Sequence, residues 1–280
     1  GPDRVRKRPA VIFTSDGVEG AVYAVKMLLD IFITEAALGF SKELYLQIHK
    51  DNSIRIKSAD RGFVLDETIV DGKPAWSYDF CELFAGPREI DSLFHVCEER
   101  NHNKLYGELD LPAPKYQAGD CFLLTDTPCC VQYASEFMKV EAVHKNTRKT
   151  LSFRKGFSVS ELKREHAPGS SYTQIDFRLD PEVFSDIAIP FDSLTSILTY
   201  AAMAIPGFKC SITDDRTSTE ETYHFPLGTM DYALNRTDGH RTTAFYTKEI
   251  EAIGKDRYNR PEYCARAKVA LGFSAAGNIT

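Results

Sequence analysis

Apolar residues recur at helical spacing most clearly between Asp16 and Gly39, where Val22, Val25, Leu29, Phe32 and Ala36 line one face. Asp16 and Glu19 form a capping box at its start, and Gly39 supplies the stop. The period then changes to two: Leu44, Leu46 and Ile48 alternate with Tyr45, Gln47 and His49, and Asp51-Asn52 turns the chain into Ile54–Lys57. That pattern predicts a β-hairpin. A second helix is predicted over Tyr78–Ala85. Residues 87–120 are polar, contain Pro112 and Pro114, and read as loop. Residues 122–137 are mixed, with a short helix over Val131–Phe137. Strands are predicted at 138–144, 149–154 and 173–179, then a helix over Ser193–Ala204 that Pro206-Gly207 ends. A strand pair fits 209–214 and 220–225 around the polar turn Asp215–Thr219, and from Gly228 the pattern reads helix and then strands. There is no internal repeat. This order predicts an α+β fold, an α/β sandwich with helices over one face of a mostly antiparallel sheet.

Composition narrows the class. A chain of 280 residues is comfortable for two domains. At 43% hydrophobic it has ample surface to bury, which excludes a disordered chain. No apolar stretch approaches the roughly 20 residues of a membrane helix, and no apolar run follows the basic N-terminus, so the expectation is a cytoplasmic protein without membrane contact. A net charge of −6 argues against wrapping duplex DNA with its own surface; any role on DNA would be indirect, through a basic partner. The cluster Arg4, Arg6, Lys7 and Arg8 reads as a solvated arm. Seven irregularly spaced cysteines with no C-x-x-C read as reduced, mostly buried thiols.

Isolated candidates for chemistry are poor. His95, Cys97 and His102 share one stretch, but their spacing matches no metal-ligand set, and they read as polar loop residues. Neither G-x-S-x-G nor G-x-G-x-x-G occurs. Lys145, Arg148, Lys149, Arg154, Lys155, Lys163 and Arg164 form a basic segment, which either faces DNA or an acidic partner or is a solvated hairpin.

Several short strings, in order, resemble one family. Val5–Pro9 (VRKRP), Gly20, Leu28–Asp30, Glu35-Ala36, Ile48–Ile56 (IHKDNSIRI), Leu83–Gly86, Thr173–Phe184 (TQIDFRLDPEVF), Ser211–Arg216, Tyr223–Phe225 and Lys268–Ser274 run collinear with the ATPase region of DNA gyrase B and topoisomerase IV B subunits. The resemblance implies the GHKL (Bergerat) ATPase fold over residues 1–227 and the start of a transducer-like domain over 228–280. It implies ATP and Mg²⁺ as ligands, and as partners a second copy or a gyrase B-like subunit together with a DNA-cleaving A-type subunit.

The sequence departs from that family at the residues that carry its chemistry. The family's first helix presents a glutamate base and, a turn later, a Mg²⁺-binding asparagine. The matching stripe here is Met27, Ile31 and Thr34. Met27 cannot take a proton from water, and Ile31 offers no oxygen to a hard cation. Glu35 is either a displaced base or a solvent-facing helix carboxylate, and it lies about 80° around the helix from Met27. The family's adenine motif, D-x-G-x-G, is here Ser58-Ala59-Asp60-Arg61-Gly62. Ser58 stands at the aspartate position, and Asp60 replaces the first glycine and is placed to supply an acceptor instead. The positions the resemblance puts around a nucleotide are Ile31, Ser58, Asp60, Gly62, Phe63 and Thr173. The glycine-rich lid corresponds to Gly119–Cys130, which has one glycine and two aspartates that would repel a triphosphate. No residue here is assigned the role of the lysine that the family brings to the γ-phosphate from much later in its second domain. No catalytic residue and no metal ligand are assigned. Three functions remain open: a gyrase B-like partner impaired in ATP binding and hydrolysis, an active ATPase with a rebuilt pocket, and a GHKL fold reused for another small molecule or protein.

Overall fold

A computed structural model describes residues 1–37, 39–63, 65–66, 74–83, 127–237, 240, 242–254 and 263–273. The predicted loop at 87–120, the His95–His102 cluster and most of the lid equivalent lie outside the described residues.

The long helix α3 covers Val18–Ala37. It follows two short helices, α1 (Pro2–Arg6) and α2 (Pro9–Phe13). The chain approaches α3 so closely that a Cβ on Gly20 would sit 2.0 Å from the Ser15 carbonyl oxygen, which explains the glycine. The hairpin is β1 (Glu43–Ile48) and β2 (Ile54–Ser58). Helix α4 spans Ala75–Cys81, three to four residues earlier than predicted. Trp76 and Phe80, one turn apart, both pack on Phe153 and set its position. Helix α5 spans Thr127–Tyr133, not Val131–Phe137. Pro128 sits in its first turn, where a missing N–H has no intrahelical bond to lose. The chain from Ser135 onward is already strand, because it pairs with residues 172–179.

The remaining strands are β3 (Ser135–His144), β4 (Thr147–Arg154), β5 (Phe157–Ser158), β6 (Lys163–His166), β7 (Tyr172–Leu179), β8 (Lys209–Asp214) and β9 (Thr219–His224). They join β1 and β2 in one sheet of order β5-β4-β3-β7-β2-β1-β8-β9, with β6 also paired to β4. Among the described residues every pairing in it is antiparallel except β1 with β8. One face carries Leu46, Ile56, Ile175, Val140 and Ile212 against α3 and helix α6 (Phe191–Ala204) in one core. Helix α7 (Thr229–Asn235) and a separate ribbon of β10 (Tyr246–Gly254) with β11 (Tyr263–Leu271) follow. Among the described residues no helix is long and apolar enough to cross a membrane.

The N-terminal arm is solvated in part: Arg4, Lys7 and Arg8 are exposed, whereas Arg6 is drawn into the fold. Val5 is fully buried, and Arg6 donates to the Tyr133 carbonyl at 3.1 Å and to Asp180 at 2.6 Å. Arg6 reads as exposed from sequence because its partners, Tyr133 and Asp180, lie far away along the chain. The basic segment is also largely paired: Lys149 is buried against Asp66, Arg164 meets the same carboxylate at 2.9 Å, and Lys155 meets Glu182 at 2.8 Å. Cys81, Cys129, Cys130 and Cys210 are thiols rather than halves of disulfides.

Among the described residues, a polar side chain of the core lacks partners. Gln132 on α5 is buried, and among the described residues neither its amide nitrogen nor its oxygen has a hydrogen-bond partner. A Gln132→Leu chain should therefore gain about 1–3 kcal/mol, read as a shift in the urea midpoint. A loss of stability instead would mean that ordered water satisfies the amide.

Candidate functional site

The site is built where β2 runs into the turn at residues 59–63, opposite α3 and across from β7. Ser58 is fully buried, and its hydroxyl lies 2.8 Å from that of Ser41. In the sheet Ser58 is paired with Thr173, which is also buried. Asp60 turns its carboxyl inward. Its Oδ1 accepts from the Gly62 backbone N–H at 2.8 Å and from the Thr173 hydroxyl at 2.9 Å. The Thr173 hydroxyl in turn accepts from the Phe63 N–H at 3.1 Å. Asp60 Oδ2 is buried and has no hydrogen-bond partner among the described residues. Burial above all, with some help from the Glu35 charge, pushes the Asp60 pKa up to about 7, against the pull of Gly62, Thr173 and Arg61.

Gly62 adopts φ +76°, and a Cβ there would lie 2.1 Å from the Val143 carbonyl oxygen. Its retention in the motif thus has a steric cause. Phe63 is buried and stacks on Phe32 of α3, centroids 5.5 Å apart and planes 19° from parallel.

Glu35 is not solvent-facing. It is 4% exposed, and its two oxygens accept from Arg61 Nε at 3.0 Å and Nη2 at 2.9 Å. The guanidinium also lies over the Phe40 ring, 3.6 Å from its centroid, and His144 Nδ1 donates to the Arg61 carbonyl at 2.8 Å. Met27 and Ile31 are half-buried and packed against the core, while Thr34 is exposed and donates to the Asp30 carbonyl. Asp30 is exposed and paired with Lys26 at 2.6 Å. The stripe of α3 that the family uses for its base and metal therefore carries no carboxylate or amide. Among the described residues no group of three or more His, Cys, Asp or Glu side chains is placed to hold a metal ion.

The structure thus brings together Ser58, Asp60, Gly62, Phe63 and Thr173, with Glu35 joined to them through Arg61. Arg61, Phe40, Ser41 and His144 were not singled out from the sequence. The one signal for Arg61 was its position inside the matched motif.

No family model matches the chain. Among curated proteins it is similar to the B subunit of a type 2 topoisomerase from Aquifex aeolicus, 26% identical over 228 residues, which covers 81% of this chain and 26% of that protein. It is similar to the DNA gyrase B protein of Thermus thermophilus, 24% identical over 241 residues, covering 85% of this chain and 34% of that protein. The gyrase B protein of Clostridium acetobutylicum gives 26% over 238 residues, with coverage of 84% and 34%. Among solved structures the 43K ATPase domain of Thermus thermophilus gyrase B, in complex with an aminocoumarin, superposes with a TM-score of 0.67 at 21% identity. That match covers 91% of this chain and 59% of the other. This chain is a gyrase B-like region with the GHKL fold. It spans between 26% and 34% of the length of these curated relatives.

Proposed function

We propose that this gyrase B-like region has lost ATP hydrolysis and acts as a structural or regulatory partner in a type II topoisomerase-like assembly. Residues 1–227 form the ATPase-like unit and 228–280 the start of a transducer-like unit. Its partners are a second copy or a gyrase B-like subunit, and a DNA-cleaving A-type subunit that contacts the DNA. The observation that carries the reading is the α3 stripe: Met27 and Ile31 stand where a base and a metal ligand are needed, and the buried carboxylate of that helix, Glu35, has both oxygens occupied by Arg61. Mg²⁺ demands oxygen ligands in near-octahedral geometry, and these residues do not fit it. Calorimetry with a non-hydrolysable ATP analogue and Mg²⁺, together with phosphate release from ATP, tests the reading. Tight Mg²⁺-dependent binding with turnover would sink it in favour of a working ATPase with a rebuilt pocket. One feature favours that second reading: the Asp60–Thr173 hydrogen bond brings a carboxyl to the motif that holds adenine in the family.

The double variant Met27→Glu, Ile31→Asn should still show no ATP turnover. A general base contributes about 10²–10⁴ in rate, but phosphoryl transfer depends mainly on positioning and charge neutralisation, which this pair does not restore. Phosphate release is compared with Met27→Gln, Ile31→Asn, which has the same shape and no base. Turnover in the first alone would show that the rest of the machinery is intact.

A further inference from the structure

The turn from Asp60 to Phe63 is where three other elements meet. It reaches β7 through two hydrogen bonds to the Thr173 hydroxyl, α3 through the Arg61–Glu35 pair, and β3 through His144 on the Arg61 carbonyl. At its start lies a carboxyl with an asymmetric environment. Oδ1 has two donors, and Oδ2 is buried with none among the described residues. An ionised carboxylate would leave an anionic oxygen in dry protein without a donor to neutralise it. Protonation at that oxygen replaces the buried charge with a neutral O–H, the smaller cost, and Oδ1 keeps both of its donors.

We infer that the 60–63 turn is a protonation-controlled latch, closed on β7 and α3 while the Asp60 carboxyl is neutral and loosened when it ionises. Enclosure of the carboxyl outweighs the groups that favour its ionisation, the Gly62 N–H, the Thr173 hydroxyl and Arg61. Glu35 of α3 is an anion and opposes ionisation. Arg61, in the turn itself, favours ionisation, but its Nε and Nη2 are directed at Glu35. Thr173 of β7 and the hydroxyls of Ser58 and Ser41 do not titrate here. His144 of β3 acts one step away, through the Arg61 carbonyl. Folding raises the Asp60 pKa from 3.8 to about 7. The native state therefore binds the extra proton. The latch's contribution is complete below the unfolded carboxyl range and is lost as pH rises through about 7. Arg61 rides on the same turn, so loosening it also frees the clamp on α3.

The test is amide hydrogen exchange in the full chain at pH values on either side of neutrality, with rates corrected for intrinsic base catalysis. Protection of the Gly62 and Phe63 amides should fall by about tenfold or more on crossing neutral pH, and stay nearly flat in Asp60→Asn. A flat wild-type profile, or a parallel fall in Asp60→Asn, overturns the inference. A His144→Gln chain should keep the fall, and its disappearance there would assign the titration to His144 and also overturn it. Should Asp60→Asn not fold, the ¹³C carboxyl resonance of Asp60 in the wild type decides. A midpoint near neutrality supports the latch, and one below about 5, close to an ordinary carboxyl, refutes it.

Discussion

Replacing Arg61 with alanine should destabilise the chain by about 3–5 kcal/mol, because it strands a buried carboxylate. In the native structure Glu35 is 5% exposed at its side chain and Arg61 is 15% exposed, so water cannot take over the role of the guanidinium. The contact with Phe40 would be lost as well, worth about 0.5–1 kcal/mol for a partly exposed cation over a ring. The comparison that isolates the cause is Arg61→Ala combined with Glu35→Leu. Removing both charges avoids the stranded anion, so the double variant should recover most of the loss even though it has fewer contacts than the wild type. Urea midpoints for the three chains settle the matter. Equal losses in the single and double variants would mean that packing, not charge, holds this corner together.

Gly62→Ala is expected to cost roughly 2–5 kcal/mol, the sum of left-handed backbone strain and a forced backbone displacement. The two contributions can be separated. Gly39 has a similar φ of +84°, but a Cβ there meets nothing within 4 Å. Gly39→Ala should therefore show only the conformational part, about 1–2 kcal/mol. The excess at Gly62 then measures the collision with the Val143 carbonyl. If the two alanine variants melt together, the β2 turn has room to move away from β3, and the steric account of this glycine is wrong.

Elements held by their own periodicity were legible from sequence. Helix α3 and the β1–β2 hairpin announce themselves because each buries one face and exposes the other, and α6 is ended by its Pro206-Gly207 stop. Elements whose ends are set by distant partners were not. Periodicity puts α5 too late because residues 131–137 are apolar enough for either state, and only pairing with β7 makes Ser135 onward a strand. Strands β5 and β6 are short and exposed, so no alternation marks them. At the site, the substitutions at Met27, Ile31, Ser58 and Asp60 were visible by position. The burial of Glu35 was not, since its partner Arg61 lies 26 residues away on another element. The unpartnered oxygen of Asp60 is a property of three-dimensional enclosure that no local pattern encodes.

The parallel pairing of β1 with β8 has a consequence for how the chain is made. Leu44 aligns with Cys210, so β1 lacks its second neighbouring strand until β8 has emerged. At roughly 5–20 residues per second, the ribosome needs on the order of ten to forty seconds to travel from the end of α3 to the end of β8. Throughout that interval Leu28, Leu29 and Phe32, all buried in the finished fold, have no completed sheet to cover them. The nascent protein therefore presents a sticky helix throughout that interval, and its yield in a cell should depend on chaperones that bind such helices and on the speed of translation through the segment between α3 and β8.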